Sequence, residues 1–333
     1  MEIRYPKYFE SFSCLAAQCP DSCCQEWDVD VDDDSAAYYR SLPGALGERL
    51  RQVLQNTDQG TVMCIENGRC PMWRWDGLCR IQAELGHDAL CQVCREFPRL
   101  RHDYGTFVEL GLELSCPEAA RLILTSPCEP QLSRQLEGGE DPDYDTETMQ
   151  ILLQSRETAR ALLLDTSYTV TQVLILLYFH ALHTQTLIDG GEPPLFDPEE
   201  ILSLAKKVAC PSSVKPIINF FSQLEILKPE WAQILAHPQP VAQWTNAYRN
   251  LAWYFVERYW LQAVSDYDLL SRAKFILVSC LLVHALGGDL LQTAQLYSKE
   301  IENSSENMDA LLDAAYGHPA FTDANLLGLL LEI

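Results

Sequence analysis

The chain has 333 residues, 47% hydrophobic and 21% charged, and its 24 Lys+Arg against 47 Asp+Glu give a formal charge of −23. An apolar share this large excludes intrinsic disorder as a description of the whole, and it can fill one large or two ordinary cores. The carboxylate surplus argues against a nucleic-acid partner, whose phosphates need a basic face; a cationic partner is easier to accommodate.

Cysteine is spread unevenly: 11 of the 13 lie in residues 1–128, leaving Cys210 and Cys280 in the rest. The first ten residues, Met1 to Glu10, contain no apolar stretch of the kind a secretory signal needs. A cytoplasmic location is therefore expected, where dense cysteines bind metal or an iron-sulfur cluster more readily than they form disulfides. The apolar stretches Val173–Phe179 and Phe275–Leu286 fall short of the roughly 18 to 20 residues that span a bilayer. No membrane helix is expected.

In chain order, the first motif is Cys14-x4-Cys19-x3-Cys23-Cys24. Trp27, Val29 and Val31 then alternate with acids, the period of a half-buried strand. Asn67-Gly68 and Asp76-Gly77 tolerate the positive φ angles of two-residue hairpins. A small meander at these turns would bring Cys64, Cys70 and Cys79 together. A short helix is expected from Ile81 to near Gly86, and a second over Ala89–Phe97, placing Cys91 and Cys94 on one face before Pro98 ends it. Val108, Leu110, Leu112 and Leu114 again alternate, predicting a strand.

Ser115-Cys116-Pro117-Glu118 reads as a capping box opening a helix over 118–124, with Ser115 as N-cap. Cys116 at that helix N-terminus should have a lowered thiol pKa. Residues 127–145 collect proline, glycine and acids and read as a linker or long loop. Downstream, Tyr248, Leu251, Ala252, Phe255 and Tyr259, and then Leu270, Ala273, Leu277, Cys280, Leu281 and His284, recur at three and four residues. The region 146–333 is thus expected to be a helical domain, broken at 189–194 and 237–240. The fold class expected is mainly α with a small β component: a cysteine-rich, cluster-binding region over 1–126 followed by a bundle-like helical region.

Thiolates this dense repel one another, and a bound cation or cluster would hold them together. Zinc takes four ligands and iron-sulfur clusters are held by four thiolates, so nine cysteines exceed one site. Either two centres exist or several thiols are bystanders. The candidate metal ligands are Cys14, Cys19, Cys23, Cys24, Cys70, Cys79, Cys91, Cys94 and Cys116.

These residues carry a resemblance. Phe12-Ser13-Cys14, Cys19-Pro20-Asp21-Ser22-Cys23-Cys24, Trp27, Cys70-Pro71-Met72, Gly77-Leu78-Cys79, Leu90-Cys91, Cys94-Arg95-Glu96-Phe97-Pro98-Arg99 and Leu114 to Arg121 follow one another in an order that resembles the bacterial flagellin lysine-N-methylase family. That family is itself similar to a broader group of CxxCxxxCC putative metal-binding proteins. The resemblance is dense over 8–124 and thin afterwards. It implies methyl transfer from S-adenosylmethionine to the ε-amines of flagellin lysines, with a 4Fe-4S cluster on some of the cysteines. No Gly-x-Gly-x-x-Gly follows a strand, and no Cys-x3-Cys-x2-Cys run occurs, so neither familiar S-adenosylmethionine signature is present. The sequence singles out neither a proton acceptor nor a methyl-donor pocket. A second reading is a non-catalytic zinc- or iron-chelating protein that acts as a binding module.

Five further features have ordinary structural explanations beside functional ones. His180 and His183 could hold a metal or form a polar stripe, and His284 could be a ligand or a core histidine. Asp28, Asp30, Asp32, Asp33 and Asp34 could attract a lysine or end a strand. Trp244, Tyr248, Trp253, Tyr254, Tyr259 and Trp260 could face a cation or pack. Arg99 and Arg121 could offset cluster charge or clamp a carboxylate.

Overall fold

The apolar residues sort into two buried clusters in the computed structural model, which describes residues 1–25, 28–58, 60–241 and 243–332. Helices dominate, with two small sheets. The smaller cluster gathers Val29, Val31, Tyr39, Leu50, Met63, Met72 and Ile81. Here the alternation at Val29 and Val31 gives the strand Val29–Val31, with both valines buried and Asp30 exposed between them. Trp27 lies outside the described residues. The strand pairs antiparallel with Gly60–Met63, which pairs in turn with Leu54–Thr57.

The acids after this strand serve the backbone. Asp28 accepts from the Ile65 N–H at 2.7 Å. Asp32 caps two helices at once: Oδ1 accepts from the Ser35 N–H at 2.9 Å, opening Asp33–Ser41, and Oδ2 from the Gln92 N–H at 2.8 Å, opening Gln92–Glu96. Partial burial opposes the charged form of Asp32, but these hydrogen bonds outweigh it and hold the carboxyl below its usual range. Its stabilisation is therefore full above the ordinary aspartate pKa near 4 and disappears as pH falls through the lower folded value. Asp32→Ala is expected to cost about 1–2 kcal/mol at pH 7, with the gap to the parent closing in urea melts at acid pH.

The first tight turn forms as its dipeptide predicts, whereas at Asp76-Gly77 only Gly77 takes a positive φ, 81°, and the Arg74 N–H donates to the Leu78 carbonyl across a three-residue loop. Asn67 and Gly68 take φ of 52° and 75°, and the flanking Glu66 and Arg69 exchange both backbone hydrogen bonds. The meander does not extend, because the pairing shrinks to the isolated bridges Glu66–Arg69, Gln25–Arg69 and Trp73–Cys79. The expected Ala89–Phe97 helix is shorter, a 3-10 turn at His87–Ala89 followed by Gln92–Glu96.

The second sheet has the order Arg99–Asp103, Phe107–Leu112, Glu2–Tyr5, Leu132–Gln135. Glu2–Tyr5 runs parallel to Phe107–Leu112 and antiparallel to Leu132–Gln135, a strand formed within the stretch read as linker or loop. Alternation along Phe107–Leu112 is imperfect. Phe107, Val108 and Glu109 are all buried because a helix covers the face that Glu109 occupies, and its Arg156 pairs with the carboxylate at 2.5 Å.

The larger cluster is built by Phe107, Leu112 and Leu114 together with the helices from Pro117–Thr125 onward. Side-chain caps mark their starts: Asp145, Thr169 with Gln172 in a capping box, Asp197, Asp268, Asp289 and Ser304. At its centre lies Leu269–Leu286, with 15 of its 18 residues buried. The apolar stretch Phe275–Leu286 lies within this longer helix, which is long and apolar enough to cross a bilayer by length and composition but is 83% buried inside the fold. Its two cations are satisfied inside the fold. Arg272 pairs with Asp266 at 2.9 Å, and Lys274 donates to the Ala315 carbonyl at 2.9 Å. The helix stops at Gly287 (φ 65°), where a Cβ would lie 1.7 Å from the Gln239 carbonyl oxygen.

Candidate functional site: a chamber lined by nine thiols

The two cores meet at a cavity of about 340 Å³. Five stretches of chain line it with cysteine: Cys14, Cys19, Cys23 and Cys24 from the first motif, Cys70 and Cys79 from the turns, Cys91 and Cys94 from the short helix, and Cys116. Cys24, Cys70, Cys79, Cys91 and Cys94 pack against the smaller core and Cys116 against the larger. Cys64, expected beside Cys70 and Cys79, is not among the lining residues. Period two explains this, since Met63 faces inward at 2% exposure and receives the Cys70 thiol at 3.7 Å, leaving the next residue on the other side. Cys128 lies elsewhere, donating to Asn250 Oδ1 at 3.2 Å beside a second cavity of about 230 Å³.

Two thiol pairs share protons. The Cys23 thiol bonds that of Cys24, which brings Cys24 down to about 7 and raises Cys23. Likewise the hydrogen bond from Cys94 lowers Cys91 and raises Cys94. Burial raises Cys19 and Cys79, pushes Cys70 up to about 12 and Cys116 up to about 11. Cys116 thus departs from the expected lowering. It is itself the N-cap of Pro117–Thr125, but desolvation outweighs the backbone N–H groups of Ala119 and Glu118. Ser115 sits one position earlier and donates to Glu113 Oε1 at 2.6 Å, so the capping box does not form.

Burial holds Cys19, Cys70, Cys79 and Cys116 toward the neutral thiol, and a positive charge among the sulfurs would reverse this by favouring thiolate. The donor set therefore fits a metal group. Among the described residues, however, no group of three or more His, Cys, Asp or Glu is arranged to hold a single metal ion. The thiols are distributed over the chamber walls.

Other chamber-lining residues include Arg95, Arg99 and Lys299. The Arg99 guanidinium lies over the Phe12 ring at 5.1 Å, and among the described residues neither Arg95 nor Arg99 has a carboxylate partner. Arg121 does not line the chamber and pairs with Glu118 at 2.6 Å.

The remaining candidates are used for packing. His180 bonds the Ser155 carbonyl at 2.8 Å, and its ring stacks on Trp260. His284 stacks on Trp244 at 4.0 Å, and burial takes it down to about 4. Tyr254 and Tyr259 both donate to Glu302, which Arg258 pairs at 3.1 Å, and the Leu114 N–H donates to the Tyr254 hydroxyl. This buried network backs the Cys116 turn, and sequence periodicity gave no sign of it beyond the aromatic helix itself. Trp253 and Tyr254 also line the second cavity, with Tyr8.

A mainly helical protein built around a thiol-lined chamber is the class this geometry defines. The chain belongs to the flagellin lysine-N-methylase family. It is 33% identical over 132 residues to the flagellar biosynthetic protein FliU of Salmonella muenchen, a match covering 38% of this chain and 78% of that protein. It is 32% identical over 132 residues to the lysine-N-methylases of Salmonella typhimurium and Salmonella choleraesuis, covering 38% of this chain and 33% of each. The matched segment thus spans a third of the length of the two methylases. No protein-family model matches the chain, and no solved structure matches it.

Proposed function

We propose that this chain is a cytoplasmic protein lysine N-methyltransferase that uses S-adenosylmethionine as donor and flagellin lysine ε-amines as acceptor, with a 4Fe-4S cluster held in the thiol chamber. The convergence of nine thiols from five stretches of chain on one cavity carries this reading, and the names of the relatives support it. In this reading residues 1–126 bind the cluster, 127–145 connect, and 146–333 form the helical domain.

A tetrahedral zinc site draws four sulfurs to about 2.3 Å from one ion. A dispersed set around about 340 Å³ suits a polynuclear group better. The ligands would come from Cys14, Cys19, Cys23, Cys24, Cys70, Cys79, Cys91, Cys94 and Cys116. When bound, such a cluster supplies a redox-active centre and cross-links the stretches that hold it. Arg95 and Arg99 offset thiolate charge, or take a carboxylate of the methyl donor. Methylation also requires the ε-amine to reach the donor in its neutral form.

Anaerobic purification, with iron, sulfide and zinc quantified, followed by incubation with labelled S-adenosylmethionine and flagellin, tests this reading. The expected result is about four irons and four sulfides per chain, absorption near 400 nm, and label on flagellin lysines. Zinc without colour and without label would instead leave a non-catalytic binding module.

A further inference from the structure

The first motif is held differently from the other thiols. Residues 13–23 place no side chain in either apolar core, although Phe12 and Cys24 on either side do so. The Cys24 carbonyl accepts from the Cys70 N–H at 2.8 Å, fixing one end. Between those ends Asp21 links the segment to the helical region. One carboxylate oxygen accepts from Gln25 at 3.0 Å, and the other from Gln295 Nε2 at 2.7 Å and from the Lys299 ammonium.

Gln295 and Lys299 are four apart on one face of the helix Leu290–Ile301. The Gln295 amide forks: besides Asp21 it donates to the Ser115 carbonyl at 2.8 Å, next to Cys116. It is only 7% exposed. One side chain thus ties the turn bearing Cys19 and Cys23 to the turn bearing Cys116, some 180 and 274 residues away in sequence. Lys299 also lines the chamber.

We propose that Gln295 and Lys299 are positioning residues that close the thiol chamber by gripping Asp21, and that this grip controls how fast a bound metal group escapes. The second half of the proposal rests on the reading that the chamber holds such a group. The first half does not. Without the grip, residues 13–23 lose this anchor to the helical region, so one wall loosens while Cys70, Cys79, Cys91 and Cys94 stay on the smaller core.

The test uses Gln295→Leu, Lys299→Met, Lys299→Arg and Asp21→Ala in the full chain, purified anaerobically. Amide hydrogen exchange is read on peptides covering 13–23, and iron loss to an excess of chelator is timed. In Gln295→Leu, Lys299→Met and Asp21→Ala, exchange across 13–23 should accelerate roughly 10- to 100-fold, the factor one charge-assisted hydrogen bond supports. Iron loss should quicken in parallel, exchange in Leu269–Leu286 should not change, and Lys299→Arg should behave as the parent. Unchanged exchange across 13–23 in Asp21→Ala, a loop substitution that leaves both cores intact, overturns the grip. Faster exchange with unchanged iron loss overturns its control of escape. A parent chain that binds no metal ends the cofactor reading, and exchange alone then judges the grip.

Discussion

Cys24→Ser and Cys91→Ser are each expected to purify with a small fraction of the parent's iron and to lose methyl transfer, whereas Cys64→Ser and Cys128→Ser keep both. These two are chosen because each lines the chamber, each packs against the smaller core, and each sits beside a second thiol close enough to hydrogen-bond it. They therefore belong to paired sulfurs on a fixed wall. Serine is nearly isosteric, so the fold should persist while a soft ligand becomes a hard one. Loss of outer partners alone costs roughly 10- to 100-fold in metal affinity, and loss of a ligand should exceed that. The controls matter equally, since Cys64 and Cys128 belong to the same dense region but do not line the chamber. Iron content that falls by the same amount in all four variants would show that cysteine number, and not the chamber, governs loading.

The largest stability effect is expected at the buried pair between the sheet and the helix Thr146–Leu164. Arg156 donates to both Glu109 oxygens, at 2.7 and 2.5 Å, with side-chain exposures of 1% and 4%. Burial opposes the charge on Arg156, but Glu109 outweighs it and raises the guanidinium further. Removing either partner strands the other's charge in the core, so Glu109→Ala or Arg156→Ala should each cost about 3–5 kcal/mol. In melting temperature that is a fall on the order of 10 °C. The double variant Glu109→Leu/Arg156→Met should recover most of the loss, because a well-packed apolar pair avoids the desolvation penalty. Single variants that melt within a degree or two of the parent would mean that water reaches the pair.

What could be read from the sequence was local. Asn67-Gly68 dictates its turn through positive φ, and Val29 and Val31 dictate a strand because their neighbours are acids. The nine chamber cysteines stood out by spacing and by the neighbouring Pro, Arg and Phe residues. What the sequence hid was non-local. Leu132–Gln135 is exposed at every position, so no apolar alternation betrays a strand whose only warrant is backbone pairing to Glu2–Tyr5. Gln295 and Lys299 look like ordinary polar positions of an amphipathic helix, and their partner Asp21 lies 274 residues or more away. Parity along Gly60–Met63 would have removed Cys64 from the meander, since its neighbour Met63 is the inward residue. The misplaced cap at Ser115 was an error of one position, and the thiol shift at Cys116 failed because burial cannot be gauged from a capping pattern.

The strand Glu2–Tyr5 lies inside its sheet, flanked by partners that begin at Phe107 and Leu132. On a ribosome adding about 5–20 residues per second, it waits on the order of ten seconds for those partners to emerge. All nine chamber cysteines are made within that interval, yet the glutamine and lysine that grip Asp21 are still some 160 residues from being synthesised. Synthesis is thus ordered in time: all nine thiols exist before the side chains that tie Asp21 to the helical region.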